Sequence, residues 1–419
     1  MRLALLLVFL TAPALAQPTA YVGATVYPVS GPPIENGMLV VEDGRIVEVG
    51  PVRTNLAPGT QQVDVSGKVI MPGLVDTHSH VGEGDGGDRS AALHPAVRIL
   101  DAIDPSSDSF WRARAGGITT MNIMPGSGHL MSGQTVYLKP RRVLTVDEML
   151  FCDDLRTGIC GGMKMANGTN SIRESGPFPG TRAKSAALVR THFLKAQQYR
   201  EKREADADHP MDLEMEALLE VLDGRRIVHF HTHRSHDILT ALRLGDEFGF
   251  TPVLHHISEG WKVADEIAAA GAPASIIVLD SPGGKIEADE LYFVTGGVLE
   301  AAGADVAYHT DDLITDSRLF LRSAAFGVRA GMSREAALAS VKLAGARMLG
   351  LDDRLGSLEA GKDADFIVLS GDPLSTYTHV EQTYLDGKKV FDRANPEDRA
   401  YAVGGYEVYH TGAAHLHEH

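Results

Sequence analysis

Histidines set the chemistry this sequence can do. His78 and His80 close the apolar run VIMPGLVDTHSH at positions i and i+2, so on an extended strand both rings point to one face and can grip one ion. Later runs of strand texture end in the same way: His229, His231 and His233 in VHFHTHR, His255 and His256 in VLHHIS, and Asp311 in DVAYHTDD. A lone HxH carries little weight. Imidazoles and a carboxylate gathered at several strand ends make a site suited to Zn²⁺ or a similar divalent ion, whose bound water would ionise near neutral pH.

The elements needed to position such a site are legible in outline. Between residues 69 and 349, strand-like runs alternate with helical ones. RIVHFH is followed by HDILTALRLGDEF, TPVLHH by WKVADEIAAAG, and ASIIVLD by GGVLEAAG, while SREAALASVKLAGARMLG reads as one closing helix capped by Ser333. This alternation predicts an α/β protein built on a (β/α)8 barrel, with the histidines at its C-terminal mouth. A doubly wound open sheet is the alternative, but no glycine-rich dinucleotide fingerprint follows a strand. Residues 17–68 and 350–405 instead read as short strands with Asp43-Gly44 and Asp386-Gly387 as tight hairpin turns. They are expected to join into one small composite β-sandwich, with the barrel inserted between them.

Residues 1–16, MRLALLLVFLTAPALA, have the charged start, apolar run and Ala14-Leu15-Ala16 site of a secretory leader, so an exported, periplasmic or secreted protein is expected. The apolar run is too short to span a bilayer, and stable membrane insertion is not expected. Against 39 Lys and Arg stand 55 Asp and Glu, a net charge of −16 with no basic stripe, which argues against nucleic acid as a partner. Cys152 and Cys160 either form a local disulfide or remain separate thiols. The tail 406–419 carries His410, His415, His417 and His419 and reads as a mobile extension.

The motifs VIMPGLVDTHSH, VHFHTHR, VLHHISEG, VAYHTDD and GSLEAGKDADFIVLSGDPL together resemble the amidohydrolase superfamily, and in particular an exported branch related to imidazolonepropionase. The resemblance covers nearly the whole mature chain. It implies metal ligation by His78 and His80 from strand one, His231 from strand five, His256 from strand six and Asp311 from strand eight. Asp311 would also take the proton of the attacking water. His229 would then be deeper packing, and His255 would point into the barrel wall. Lys164, in GGMKMANGTN, matches a position where related enzymes carry a carboxylated lysine bridging two metals; an ion-paired lysine is the other reading. Thr169 stands where that branch usually has Glu.

Loop groups that could meet a substrate are His233, Arg182, Lys285 and Asp312, with His129 and Gly133-Gln134 as further candidates. The expected activity is hydrolysis of amide or cyclic amide C–N bonds in small molecules such as dipeptides or N-acyl amino acids, with one or two Zn²⁺ or similar ions per chain. Deamination of a heterocycle and a catalytically silent small-molecule binder are the alternatives. A homo-oligomer is compatible with the sequence.

Overall fold

The computed structural model describes residues 17–404 except 83, 85, 153, 156, 157, 278–284 and 313. The expected leader and the histidine-bearing tail lie outside the described residues. Along the chain the strands are β1 (Thr19–Val26), β2 (Ile34–Glu42), β3 (Arg45–Pro51), β4 (Gln61–Asp64), β5 (Val69–Pro72), β6 (Leu74–Ser79), β7 (Ile118–Ile123), β8 (Met131–Gln134) and β9 (Val136–Leu138). Then follow β10 (Met163–Ala166), β11 (Val228–Thr232), β12 (Val253–His256), β13 (Ala274–Ile276), β14 (Val306–Tyr308), β15 (Phe366–Leu369), β16 (Val380–Leu385) and β17 (Lys388–Asp392).

Strands from both chain ends hydrogen-bond into one sheet in the order β17-β16-β15-β5-β1-β2-β3, with β4 beside β1. Their hydrogen-bond ladder is continuous across all eight strands. The two Asp-Gly turns do what their residues allow: Asp43 and Gly44 have φ of 47° and 75°, Asp386 and Gly387 48° and 71°, the doubly left-handed geometry of a tight hairpin. Its apolar face is anchored by the stacked rings of Phe366 and Tyr384, 4.3 Å apart, with Tyr21 edge-on to both.

Residues 69–72 belong to this sheet and not, as expected, to the barrel segment. The apolar run VIMPGLVDTHSH is two strands: β5 pairs with β1 and β15, and β6 begins only at Leu74. Gly73 makes the step, because a Cβ there would fall 2.1 Å from Thr119 Oγ1. Disagreement also appears at the closing helix, which is two helices, Arg334–Ser340 and Leu343–Met348, broken at the non-helical Lys342. Ser333 does cap the first, accepting from the Ala336 N–H.

The site-bearing strands β10, β11, β12, β13 and β14 run parallel, and β8 joins β10 antiparallel. A second sheet holds β6 parallel to β7, with β9 antiparallel to β7. Thr135 alone separates β8 from β9, so one segment belongs to both sheets. At the opposite edge the end of β14 meets β6, where the Asp311 N–H donates to His78 O at 2.9 Å and the Thr310 N–H to Asp76 Oδ1 at 3.0 Å. Helices such as Arg182–Ala205 and Ser235–Phe248 cover the strands and share one apolar core with them.

Candidate metal centre

Each strand that ends in a histidine delivers it to one buried cluster. His78 and His80 leave the end of β6, and Asp311 follows β14. Asp311 Oδ1 lies 3.0 Å from His80 Nε2 and 3.4 Å from His78 Nε2. Lys164, on β10, places Nζ 3.1 Å from His78 Nε2 and 2.9 Å from Met124 Sδ. His231 on β11 and His256 on β12 have ring centroids 4.3 Å apart, and the His256 ring is 4.7 Å from that of His78. Donor atoms of His78, His256 and Asp311 all lie within 4.8 Å of one another.

The backbone is bent where these groups converge. His256, Ile257 and Asp311 have φ of 68°, 39° and 48°. A left-handed β-branched residue is costly, and such strain persists where the surrounding structure imposes it, commonly at functional sites. It also overturns the expectation for His255. Strict alternation would send its ring away from His256, but the turn at His256 ends the strand there. His255 Nδ1 is 3.2 Å from His78 Nδ1, and its Nε2 is 2.9 Å from His229 Nδ1. His229 in turn meets the Tyr137 hydroxyl at 2.8 Å. His309, outside the expected set, stacks on His78 and places Nε2 3.2 Å from His256 Nδ1.

Burial, reinforced by neighbouring cations, pushes the His78, His231, His255 and His256 rings well below their ordinary pKa, and His229, His233 and His309 down to about 3. They are neutral at pH 7, the state in which an imidazole offers a lone pair to an ion. Burial likewise drives the Lys164 amine down to about 7. Burial opposes ionisation of Asp311 too, yet the hydrogen bond from His80, helped by the Lys164 amine, holds its carboxyl below the ordinary range.

Whether an ion fits can be judged from what the cluster leaves unsatisfied. Among the described residues, His231 Nδ1, His256 Nε2, His233 Nε2 and Glu287 Oε1 are buried without a hydrogen-bond partner. Buried polar atoms are seldom orphaned, and a bound divalent cation is a partner such atoms can take. Other atoms of the rings are held: His80 Nδ1 by Met124 O at 2.8 Å, His231 Nε2 by Asn170 at 3.0 Å, His233 Nδ1 by Ser258 at 2.8 Å. Outer partners of this kind fix ring orientation at metal sites.

The loop candidates divide. His233 lies in the cluster, stacked on His256. Lys285 is half-buried at its edge, where burial lowers its pKa against the pull of Asp311 and Glu287. Arg182 is committed to Asp237 at 3.0 Å and Glu287 at 3.5 Å. Asp312 is a correction: its buried carboxylate turns to Arg112, 3.6 Å away, and to the Ser317 hydroxyl. His129 is joined to Asp88 O at 2.6 Å and Gln134 to Pro95 O at 3.2 Å, both tying loops together. Gly133 is a β8 residue paired with Lys164. Cys152 and Cys160 are disulfide-bonded. Glu287 had no motif to mark it. Its Oε2 accepts the Thr169 N–H at 2.8 Å, so a carboxylate stands at Thr169 although residue 169 itself is not acidic.

An amidohydrolase family model, Amidohydro_3, matches residues 204–391. The crystal structure of an amidohydrolase from Thermotoga maritima is 32% identical, covers 90% of this chain and all of its own, and superposes with a TM-score of 0.82. The chain belongs to the amidohydrolase family. Amidohydrolase tasK of Hapsidospora irregularis is 29% identical over 85% of this chain, which spans only 40% of that protein's length. An imidazolonepropionase from Caulobacter sp. is 27% identical over 80% of this chain and 88% of its own. As an amidohydrolase with imidazolonepropionase-related members among its relatives, the chain is a metal-dependent hydrolase of C–N bonds on an α/β fold.

Proposed function

We propose that this amidohydrolase is an exported enzyme that hydrolyses amide or cyclic amide bonds of small molecules such as dipeptides or N-acyl amino acids. The observation that carries the reading is the convergence of His78, His80, His231 and His256 on an ionised Asp311, with His231 Nδ1 and His256 Nε2 unpartnered among the described residues. These residues, with Lys164, would hold one or two Zn²⁺ or similar ions. A bound divalent ion would acidify a water and polarise the scissile carbonyl. Asp311 would accept the proton of the attacking water and return it to the leaving nitrogen. His80 holds that carboxylate by hydrogen bond. The two site-bearing sheets, sharing the β8–β9 segment and meeting again between β14 and β6, are best read as one closed (β/α)8-type barrel.

Export is supported by the leader-like residues 1–16, and an intact mass beginning near Gln17 would test it. Function is tested by assaying purified protein, stripped of metal and reloaded with Zn²⁺, against dipeptides, N-acyl amino acids and cyclic amides. Chelator-sensitive release of amine from one of these classes is expected. A zinc-loaded protein that releases ammonia from a heterocycle and leaves all three classes intact would replace this reading with deamination.

A further inference from the structure

We propose that His255, His229 and Tyr137 are positioning residues for His78, joined in a buried hydrogen-bond chain that fixes which nitrogen of the His78 ring carries the hydrogen. The proposal rests on the metal-dependent reading above and concerns three side chains outside its ligand set. His78, His255, His229 and Tyr137 come from β6, β12, β11 and β9 in turn, and all four are buried. His78 Nδ1 lies 3.2 Å from His255 Nδ1, His255 Nε2 lies 2.9 Å from His229 Nδ1, and His229 Nε2 lies 2.8 Å from the Tyr137 hydroxyl.

Each of these contacts accommodates one hydrogen and each neutral ring carries one, so the three rings do not choose their tautomers independently. His78 Nε2 faces the centre, 3.1 Å from Lys164 Nζ and 3.4 Å from Asp311 Oδ1. To offer a lone pair there, His78 must carry its hydrogen on Nδ1 and donate it to His255. His255 then donates from Nε2 to His229, and His229 donates from Nε2 to the Tyr137 oxygen. Run the other way, with Tyr137 donating, the same chain ends with a hydrogen on His78 Nε2 and closes that atom to an ion. His255 is thus the acceptor that keeps His78 in its ligating form, and Tyr137 is the acceptor on which that arrangement ends.

The test is a Zn²⁺ binding isotherm on the metal-stripped, otherwise intact chain, for wild type, His255→Leu, His255→Gln and Tyr137→Phe, with circular dichroism to check folding. His255→Leu should weaken one binding event about 10- to 100-fold, the weight of an outer partner of a metal ligand. His255→Gln is of similar size but brings an amide oxygen that can accept from His78 Nδ1, so it should recover part of that loss, whereas a packing role would make the two variants alike. Tyr137→Phe leaves the His229 N–H buried and unpaired in the loaded protein and should weaken binding at least about 5-fold. Neutron diffraction from the deuterated, zinc-loaded chain should place deuterium on His78 Nδ1, His255 Nε2 and His229 Nε2. Should His255→Leu fail to fold, Tyr137→Phe and the deuterium positions decide. Variants that bind zinc as tightly as wild type, or deuterium in the reverse order, overturn the chain and leave the hydrolase reading standing. A folded wild type that binds no zinc overturns both.

Discussion

Asp311 is half-buried and ionised, and the hydrogen bond from His80 offsets what desolvation costs its carboxylate. Replacing it with Asn keeps the shape and removes the basicity. Hydrolysis by Asp311→Asn should fall by about 10²-fold or more, the scale of lost acid–base catalysis, with most metal retained; near-normal turnover would move the role to His309. Lys164 poses a different question. Among the described residues its Nζ contacts are His78 and Met124 rather than a carboxylate, and a pKa near 7 leaves much of the amine unprotonated and able to add carbon dioxide. Reconstitution of the second ion should therefore depend on bicarbonate, and ¹³C-labelled bicarbonate should give a carbamate signal lost in Lys164→Ala. Metal uptake indifferent to bicarbonate, with no such signal, would leave Lys164 an unmodified amine.

At the scale of elements, Lys342 breaks a helix and sits fully buried, its amine hydrogen-bonded among the described residues to the Leu338 carbonyl alone, 3.0 Å away. Burial takes its pKa from the ordinary 10.5 to about 7. Between those values the unfolded chain holds a proton that the folded one lacks, so folding stability rises with pH across that window. Lys342→Met should thus raise the melting temperature most at or below pH 7, with a ceiling of roughly 5 kcal/mol, and its advantage should shrink towards pH 10. An advantage that does not change with pH would mean the lysine is already solvated. Gly73 is the hinge between two sheets, and Gly73→Ala, driven into Thr119, should cost about 1–3 kcal/mol in denaturant unfolding. These two residues also mark where the sequence was illegible. Histidines at i and i+2, and Asp-Gly turns, act through local geometry, so β6, β11 and both hairpins were readable. Lys342 lies in an unbroken helical pattern, and VIMPGLVDTHSH in an unbroken apolar run, because the forces dividing them come from distant packing. His255 was misread for a related reason: alternation holds only while φ stays negative, and at His256 it does not. Glu287 belongs to no motif and gains meaning only by its fold-given proximity to Thr169 and His233.

Across the whole molecule, one buried ammonium ties the end sheet to the site-bearing strands. Lys139, just after β9, contacts Asp363 at 2.7 Å, Asp365 at 2.8 Å and Asp386 at 2.6 Å, and none of its side chain is exposed. Lys139→Met leaves those carboxylates short of a cation and should destabilise the fold by about 3–5 kcal/mol, read as a lowered melting temperature; a loss under 1 kcal/mol would mean that Arg45, Arg141 and Arg354 suffice. The same architecture governs how the protein must be made. β5 waits for β15 across roughly 290 intervening residues, a long loop to close. A nascent chain emerging N-terminus first therefore carries an unpaired edge of Val69, Ile70 and Met71 until nearly all of it has been synthesised. A product ending before Phe366 would keep that edge open for good, so premature termination should yield aggregates instead of a smaller working enzyme.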